Sequence, residues 1–196
     1  GTLARLAERI GLESYPQRIE AYDISNLGKE HLTAGMIVCI DGKFCKADYR
    51  SFSIRTVEGT DDYASMREMI SRRFARYHEE KDSGEGFGRL PDLILLDGGK
   101  GHVSTVQELM DELGLDIPVL GMVKDEFHKT RALTDGESDI GIAGESAVYA
   151  MIYKIQEEVH RFSLSRMDSG RRKKVKRSSL CNIPGIGEKK AALLMR

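Results

Sequence analysis

Two aspartates stand at the ends of apolar, strand-like segments, where a negative charge needs a positive partner. Asp23 lies near the end of "RIEAYDIS" (18–25), and Asp97 ends "PDLILLD" (91–97). A carboxylate buried at such a point is costly unless a cation or a proton neutralises it. If the two strands are neighbours, the two carboxylates repel each other and can share a proton or hold a cation. Hard oxygen ligands of this kind suit Mg²⁺ or Mn²⁺.

Two residues elsewhere could complete such a site, although each also has an ordinary structural explanation. Asp62 begins the predicted helix 61–80, where an aspartate can cap backbone N–H groups and favour the helix dipole. It shares a helix face with apolar residues of later turns, which directs it toward the body of the protein. His160 lies one residue beyond the apolar stripe of segment 146–162, a position typical of a half-buried core histidine.

The segment "DGGKGH" (97–102) is rich in glycine, which lets the backbone turn sharply and approach a ligand closely. It is not the phosphate-binding loop of nucleotide hydrolases, because the spacing GxxxxGK[ST] is absent. Lys100 could contact a phosphate group, or it could be a solvated surface lysine.

Hydrophobic periodicity divides the chain into strands and helices that must position these residues. The segment 32–55 predicts a hairpin, because Asp41-Gly42 is a two-residue turn signal between β-rich arms. The segment 127–145 is a polar loop or a small extra hairpin. The remaining predictions are strands over 18–25, 91–97 and 117–123, helices over 3–11, 61–80, 103–114 and 146–162, and a glycine-rich loop over 81–89.

The order of these elements predicts an α/β fold, a mixed sheet flanked by helices. Three strands joined by hairpins are followed by alternating helices and strands. The ribonuclease H-like nuclease fold has this order. In an open α/β sheet, ligand sites lie at the carboxyl ends of strands, where Asp23 and Asp97 would meet if their strands are adjacent.

Charge is unevenly distributed along the 196 residues. The net charge is −1, but residues 161–196 contain 11 basic and two acidic residues. Residues 1–160 contain 19 basic and 29 acidic residues. An acidic body with a basic end is typical of a protein that binds a polyanion through that end, although a solvated, disordered terminus would have the same composition.

The last residues have the pattern of a DNA-binding turn. "IPGIG" (183–187) followed by "EKKAALL" is typical of a helix-hairpin-helix motif, whose backbone N–H groups bind a DNA phosphate without reading its sequence. An ordinary turn between helices would look similar, but the neighbouring basic residues favour DNA. Such motifs usually come in pairs, and the chain ends after about one. The candidate DNA-binding residues are Lys100, Arg171, Arg172, Lys173, Lys174, Lys176, Arg177, Gly185, Gly187, Lys189 and Lys190.

Composition places the chain among ordinary globular proteins. Charged residues make up 31% and aromatic residues 7%, and there is no tryptophan. No stretch approaches the roughly 20 apolar residues of a membrane span, and no signal peptide is visible. The cysteines Cys39, Cys45 and Cys181 form no CxxC pair, which favours reduced thiols in a cytoplasmic protein without a zinc site. Because the sequence begins at Gly1 without a methionine, we expect a fragment or a processed chain.

Taken together, the motifs resemble one family, the C component of the excinuclease ABC of bacterial nucleotide excision repair. The resemblance covers nearly the whole chain. It implies a ribonuclease H-like endonuclease domain, a helix-hairpin-helix domain after it, and the cut on the 5′ side of a DNA lesion. The family's domain for the 3′ cut and its docking segment for the helicase component of the excinuclease would lie upstream. The segments that carry the resemblance are "RIEAYDIS", "DYRSFSIRTVEGTDDYASMREMISRRF", "PDLILLDGGKGH", "VLGMVKDEFHKT", "SAVYAMIYKIQEEVHRF" and "RSSLCNIPGIGEKKAALL".

The resemblance also implies roles for particular residues. The family's catalytic aspartates fall on Asp23, Asp62 and Asp97, and its catalytic histidine falls on His160. Asp23, Asp97 and His160 would bind Mn²⁺ or Mg²⁺, and His160 could instead donate a proton to the leaving oxygen. The implied partners are double-stranded DNA with a lesion, the helicase (B) component of the excinuclease and, through it, the A component.

The sequence departs from the family pattern beside these residues rather than at them. Asn26 and Leu27 stand where the family commonly has His-Thr, and His102 stands where it commonly has Gln. Glu145 or Ser146 replaces a proline that often precedes the last helix. These departures concern flanking DNA contacts.

The sequence therefore predicts a ribonuclease H-like domain over 1–165, a basic linker over 166–178 and a partial, small helical helix-hairpin-helix segment over 179–196. Two other functions are compatible with it. One is a structure-specific nuclease of the same fold that acts on junctions or RNA–DNA hybrids. The other is a catalytically inactive DNA-binding scaffold, against which the presence of all four candidate site residues argues.

Overall fold

The computed structural model describes residues 1–25, 31–55 and 61–181, with side chains described over 1–25, 32–54 and 61–165. The helices in these ranges are α1 (Thr2–Ile10), α2 (Asp62–Glu80), α3 (Lys100–Leu113) and α4 (Ser146–Cys181). The strands are β1 (Arg18–Ser25), β2 (His31–Ile40), β3 (Lys43–Phe44), β4 (Arg50–Arg55), β5 (Leu93–Leu96), β6 (Val119–Lys124), β7 (Thr130–Thr134) and β8 (Asp139–Gly141).

These eight strands form one mixed sheet in the order β3-β2-β1-β5-β6-β7-β8, with β4 also paired to β2. The central pairs β1–β5 and β5–β6 are parallel, and the outer pairs are antiparallel. The strands that carry Asp23 and Asp97, for which the sequence left adjacency as a possibility, are therefore neighbours. The segment 127–145, for which a loop and a hairpin were both possible, forms the hairpin β7–β8 at one edge of the sheet.

Helices cover both faces of the sheet, which is why β1 and β5 are buried on both sides. Even-numbered residues such as Tyr22 and Leu96 pack in the core with α2 and α3. Odd-numbered residues such as Ala21 and Leu95 pack in a second core with α1 and α4. The apolar stripe predicted for α4 is buried in this second core at Val148, Ile152, Ile155, Val159 and Phe162.

A fully buried ionic cluster, called here the Glu20 cluster, joins β1 to α2. The Glu20 carboxylate accepts hydrogen bonds from Arg18 Nε at 2.9 Å, from Arg73 Nε at 2.8 Å and from the Tyr22 hydroxyl. Arg73 also donates to the backbone carbonyl of Phe87 at 2.9 Å. The cluster thus anchors the glycine-rich loop after α2 to the sheet.

The structure differs from the sequence prediction at two helix ends. α3 begins at Lys100, three residues before the predicted start, and α4 continues past residue 162 to Cys181. The predicted linker 166–178 is therefore helical in its backbone, because Arg and Lys, which dominate it, are good helix formers. The division into domains stays a prediction, since residues 182–196 of the predicted helix-hairpin-helix segment 179–196 lie outside the described residues.

No helix in the part of the chain that the structure describes is both long enough and apolar enough to cross a membrane. Within the same ranges Cys39 and Cys45 are free thiols.

Candidate metal-binding and active site

Asp23 and Asp97 meet because β1 and β5 run parallel and in register. Tyr22 lies beside Leu96, so the next step along both strands brings residue 23 beside residue 97. The backbone N–H of Asp97 donates to the carbonyl of Tyr22 at 2.9 Å and holds this register at the strand ends. Since side chains alternate along a strand, both aspartates point to the face covered by α4.

The two carboxylates are almost entirely withdrawn from water, each with a side chain only 6% exposed. Burial, followed by the charge of Asp97, raises the pKa of Asp23 to about 8, although the ammonium of Lys124 opposes the rise. Two buried carboxylates in contact cannot both ionise without added positive charge. The pair therefore binds a proton or a cation at neutral pH.

The helix α4 brings His160 to this pair. His160 Nδ1 lies 3.2 Å from Asp23 Oδ2, while the imidazole is about half exposed. The close approach of α4 depends on Gly35, which pairs with Asp23 across β1 and β2. A Cβ at residue 35 would lie 3.0 Å from the ring of Phe162 and 3.2 Å from the side chain of Ser163, so a larger residue would push the helix away.

Asp23, Asp97 and His160 form one compact group, in which one potential ligand atom from each lies within 4.8 Å of the others. Two carboxylates and one imidazole offer two hard oxygens and a nitrogen of intermediate softness. This donor set fits a small divalent cation.

Two residues that sequence reasoning missed contact Asp97 directly. Lys124 Nζ, on β6, lies 3.1 Å from Asp97 Oδ2, and Gln156 Nε2, on α4, donates to Asp97 Oδ1 at 2.8 Å. The spacing gave a signal for Gln156, because it precedes His160 by four residues and shares its helix face. Lys124 gave no such signal, since a lysine at the end of a strand is ordinarily solvated.

Asp62 is not part of the compact group. Its side chain is exposed at the start of α2, so the prediction that it points toward the body of the protein is wrong. The capping role belongs to its neighbour Asp61, whose carboxylate accepts from the backbone N–H groups of Tyr63 and Ala64. Asp62 does act on His102: burial lowers the pKa of His102, and the negative charges of Asp62 and Asp97 oppose that decrease. His102 thus lies close enough to both carboxylates for their charges to affect its pKa.

The glycine-rich turn after Asp97 is tightly packed. A Cβ at Gly98 would lie 2.6 Å from the imidazole of His102, so only glycine fits there without a shift. The His102 ring in turn packs edge-on against Tyr63, with ring centroids 4.7 Å apart. Lys100, the first residue of α3, is exposed and therefore accessible to a ligand.

The structure gives only partial positions for the other candidate DNA-binding residues. One group belongs to the helical backbone of α4, where side chains are not described: Arg171, Arg172, Lys173, Lys174, Lys176 and Arg177. The second group lies outside the described residues: Gly185, Gly187, Lys189 and Lys190.

The sheet is mixed, acidic residues lie at the ends of two adjacent parallel strands, and a covering helix adds a histidine to them. These features define a ribonuclease H-like nuclease domain. The crystal structure of human ENDOV supports this fold: it aligns with 79% of this chain and 86% of its own chain at 10% identity, with a TM-score of 0.50. Residues 7–164 match the family described as the UvrC RNAse H endonuclease domain, and the chain belongs to that family.

Whole-sequence relatives bear the corresponding name. UvrABC system protein C of Thermoanaerobacter pseudethanolicus is 47% identical over 198 aligned positions, which cover 96% of this chain and 32% of that protein. The protein of the same name from Clostridium novyi is 44% identical over 100% of this chain and 33% of its own length. The chain thus spans about a third of the length of these relatives.

Proposed function

We propose that this chain supplies the nuclease that cuts damaged double-stranded DNA on the 5′ side of a lesion in bacterial nucleotide excision repair. One observation carries the proposal: in a member of the UvrC RNAse H endonuclease family, Asp23, Asp97 and His160 converge at the ends of adjacent strands. Acidic sites of this kind support metal-assisted hydrolysis of phosphodiesters.

In this proposal Asp23 and Asp97 provide oxygen ligands, and His160 provides a nitrogen ligand, for Mn²⁺ or Mg²⁺. A divalent cation in such a site supplies an activated water and neutralises the charge that develops on the phosphate. Asp97 is held by Gln156, and Asp23 is held by His160, so the carboxylates are oriented before DNA arrives. The half-exposed ring of His160 marks the side that is open to a phosphodiester.

Asp62, the first residue of α2, is also a catalytic residue in this proposal. Its exposed carboxylate is accessible to bound DNA, and its charge, like that of Asp97, acts on His102. Lys100, at the exposed start of α3, would contact the DNA backbone next to the cut.

The basic residues beyond the core would hold the duplex. Residues 171–177 contain six basic residues on a helical backbone, and the motif "IPGIG" would bind phosphate groups through its backbone. Such contacts add affinity without sequence preference, which suits an enzyme whose targets are defined by damage. We propose that the lesion is selected by the partner proteins, the A component and the helicase (B) component of the same repair system.

The metal part of the proposal is tested by calorimetric titration of the chain with Mn²⁺. We expect wild-type protein to bind Mn²⁺ and the double variant Asp23→Asn/Asp97→Asn to lose binding, because both oxygen ligands lose their charge. The matched control is Asp125→Asn, which alters a partly exposed aspartate on the turn after β6. Equal binding by wild type and the double variant would rule out this site.

The substrate is tested by comparing three nucleic acids in the reconstituted repair system: lesion-bearing duplex, a four-way junction and an RNA–DNA hybrid. We expect metal-dependent cleavage on the 5′ side of the lesion and little cleavage of the other two. Preferential cutting of junctions or hybrids without the partner proteins would instead indicate a different structure-specific nuclease.

The basic segment is tested by the salt dependence of DNA binding. Replacing the six basic residues of 171–177 with glutamine, a good helix former, should weaken binding and flatten the plot of log affinity against log salt concentration, because fewer counterions are released. If the slope matched that of the wild type, the segment would not contact DNA.

A further inference from the structure

We infer that Gln156 is a positioning residue that fixes the carboxylate of Asp97, and that Thr130 fixes Gln156 in turn. The inference rests on the proposed function, in which Asp97 is a metal ligand. Neither Gln156 nor Thr130 belongs to the residues that the sequence pattern suggested for the site.

The contacts form a continuous buried path from β7 to Asp97. Gln156 Nε2 donates to Asp97 Oδ1 at 2.8 Å and to the backbone carbonyl of Met122 at 3.3 Å. Gln156 Oε1 accepts a hydrogen bond from the Thr130 hydroxyl. Gln156 is only 4% exposed and Thr130 only 3% exposed, so neither contact is replaced easily by water.

This environment allows one orientation of the Gln156 amide. The Asp97 carboxylate and the Met122 carbonyl can only accept hydrogen bonds, so the NH₂ group must face them. The reverse orientation would place an amide oxygen against two other oxygens in a buried site. The Thr130 hydroxyl, which can donate, satisfies the oxygen at the other end and thereby stabilises the observed orientation.

The position of Thr130 depends on an irregularity in the sheet. Leu133 on β7 packs in the core beneath α4, so regular alternation would turn Thr130, three residues earlier, to the opposite face. The pairing shifts between Val123 and Lys124, and Lys124 pairs with Thr130 where regular pairing would give residue 131. The extra residue turns Thr130 toward α4, an effect typical of bulges beside active sites.

The result is an Asp97 carboxylate whose two oxygens have different partners. Oδ1 is held by a buried amide that is itself held in place, whereas Oδ2 contacts the partly exposed ammonium of Lys124. A cation can displace a lysine side chain more readily than a buried glutamine. Gln156 therefore fixes the rotation of the carboxylate and leaves Oδ2 for the metal. Residues that hydrogen-bond to a metal ligand commonly orient it in this way.

The test measures Mn²⁺ affinity by calorimetry for wild type, Gln156→Met, Thr130→Val, Thr130→Ser and the double variant Thr130→Val/Gln156→Met. Gln156→Met keeps the size of the side chain and removes its donor, so we expect Mn²⁺ affinity to fall about tenfold or more. Thr130→Val should cause a smaller loss, and Thr130→Ser, which keeps the hydroxyl, should restore wild-type affinity. Since Thr130 acts through Gln156, the double variant should bind Mn²⁺ as Gln156→Met does.

The matched control is Ser163→Ala, which removes a buried hydroxyl of the same helix that contacts the carbonyl of Thr33. It should change thermal stability without changing Mn²⁺ affinity. Wild-type affinity in a folded Gln156→Met protein, or additive losses in the double variant, would overturn the inference. Absence of Mn²⁺ binding by the wild type would instead contradict the proposed function, so the two failures are distinguishable.

Discussion

Glu20 and Asp23 lie three residues apart on β1, on opposite faces of the sheet, and both are almost completely buried. Their electrostatic environments differ. Burial alone would raise the pKa of Glu20, but the hydrogen bonds and charges of Arg73 and Arg18 outweigh burial and lower it. Burial and the charge of Asp97 together raise the pKa of Asp23 to about 8.

The difference lies in where the neutralising charge comes from. In the Glu20 cluster the cations are built into the chain as two arginines, whose side chains are at most 1% exposed. At Asp23 and Asp97, the described residues offer two carboxylates only one lysine, the partly exposed Lys124, and the half-exposed imidazole of His160. A buried acid with its own fixed cations is structural, whereas a pair of acids with insufficient positive charge is suited to bind a cation from outside.

The largest expected effect comes from Asp97→Asn, which keeps the shape of the side chain and removes its charge. Cleavage of lesion-bearing duplex should fall by orders of magnitude, because the proposed function makes Asp97 an essential metal ligand. Metal-free thermal stability should stay the same or rise, since the repulsion between residues 23 and 97 disappears. DNA affinity should hold or increase slightly, because a negative charge has left a site that would face phosphates in the proposed complex.

Cleavage assays and metal-free melting curves on the same preparations distinguish this role from a structural one. A structural ion-pair role for Asp97 predicts lower stability, with activity lost only as the protein unfolds. A well-folded Asp97→Asn protein that cuts at the wild-type rate would contradict the catalytic assignment.

The next largest effect is expected on the other face of the sheet. Glu20→Gln should lower the free energy of unfolding by about 3–5 kcal/mol, because it leaves the buried guanidinium of Arg73 without its counterion. Denaturant unfolding measures the loss, and the control Glu79→Gln, which removes an exposed partner of Arg76, should change stability by less than about 1 kcal/mol. Where Glu20→Gln remains folded, its Mn²⁺ affinity should match the wild type; weakened binding there would show that the two faces are coupled.

The common edge of β1 and β5 could be anticipated from local signals. Segment 91–97 is an apolar run that ends in Asp97, and segment 18–25 has Asp23 near its end. If the two strands are adjacent and parallel, the general rules for α/β sheets bring these aspartates to one edge. His160 was a site candidate only through the family resemblance, since its place beside the stripe of α4 is typical of a core histidine. The structure adds the reason that His160 reaches Asp23, which is the absence of a side chain at Gly35.

Other structural features depend on contacts between segments that are distant in the sequence, so no local sequence pattern predicts them. An arginine on a helix such as α2 is ordinarily exposed. Arg73 is nevertheless buried, because Glu20 on β1 binds it. Thr130 lies in a polar segment whose strand, bulge and orientation are fixed only by pairing with β6. Asp62 fits the family pattern but stands outside the compact group. It lies at the start of α2, so its position depends on how that helix packs and not on the register of a strand.

The smallest expected effect concerns Lys124, the lysine that contacts the acidic pair. Its ammonium lies 3.1 Å from Asp97 Oδ2, and its side chain is 30% exposed, unlike the enclosed arginines around Glu20. If it acts as a displaceable counterion, a divalent cation must compete with it for the same oxygen. We therefore expect Lys124→Met to bind Mn²⁺ about threefold to tenfold more tightly, a coupling of roughly 1 kcal/mol for a partly exposed pair.

Calorimetric titration of Lys124→Met with Mn²⁺ measures this effect. The control is Lys129→Met, which removes an exposed lysine from the turn between β6 and β7 and tests the general influence of one positive charge. The gain should exceed that of the control and should shrink at high salt, because part of the Lys124 charge is screened. Weaker Mn²⁺ binding by Lys124→Met would mean that the ammonium holds Asp97 in place for the metal, as the arginines hold Glu20. Lys124 would then be a fixed cation and not a displaceable one.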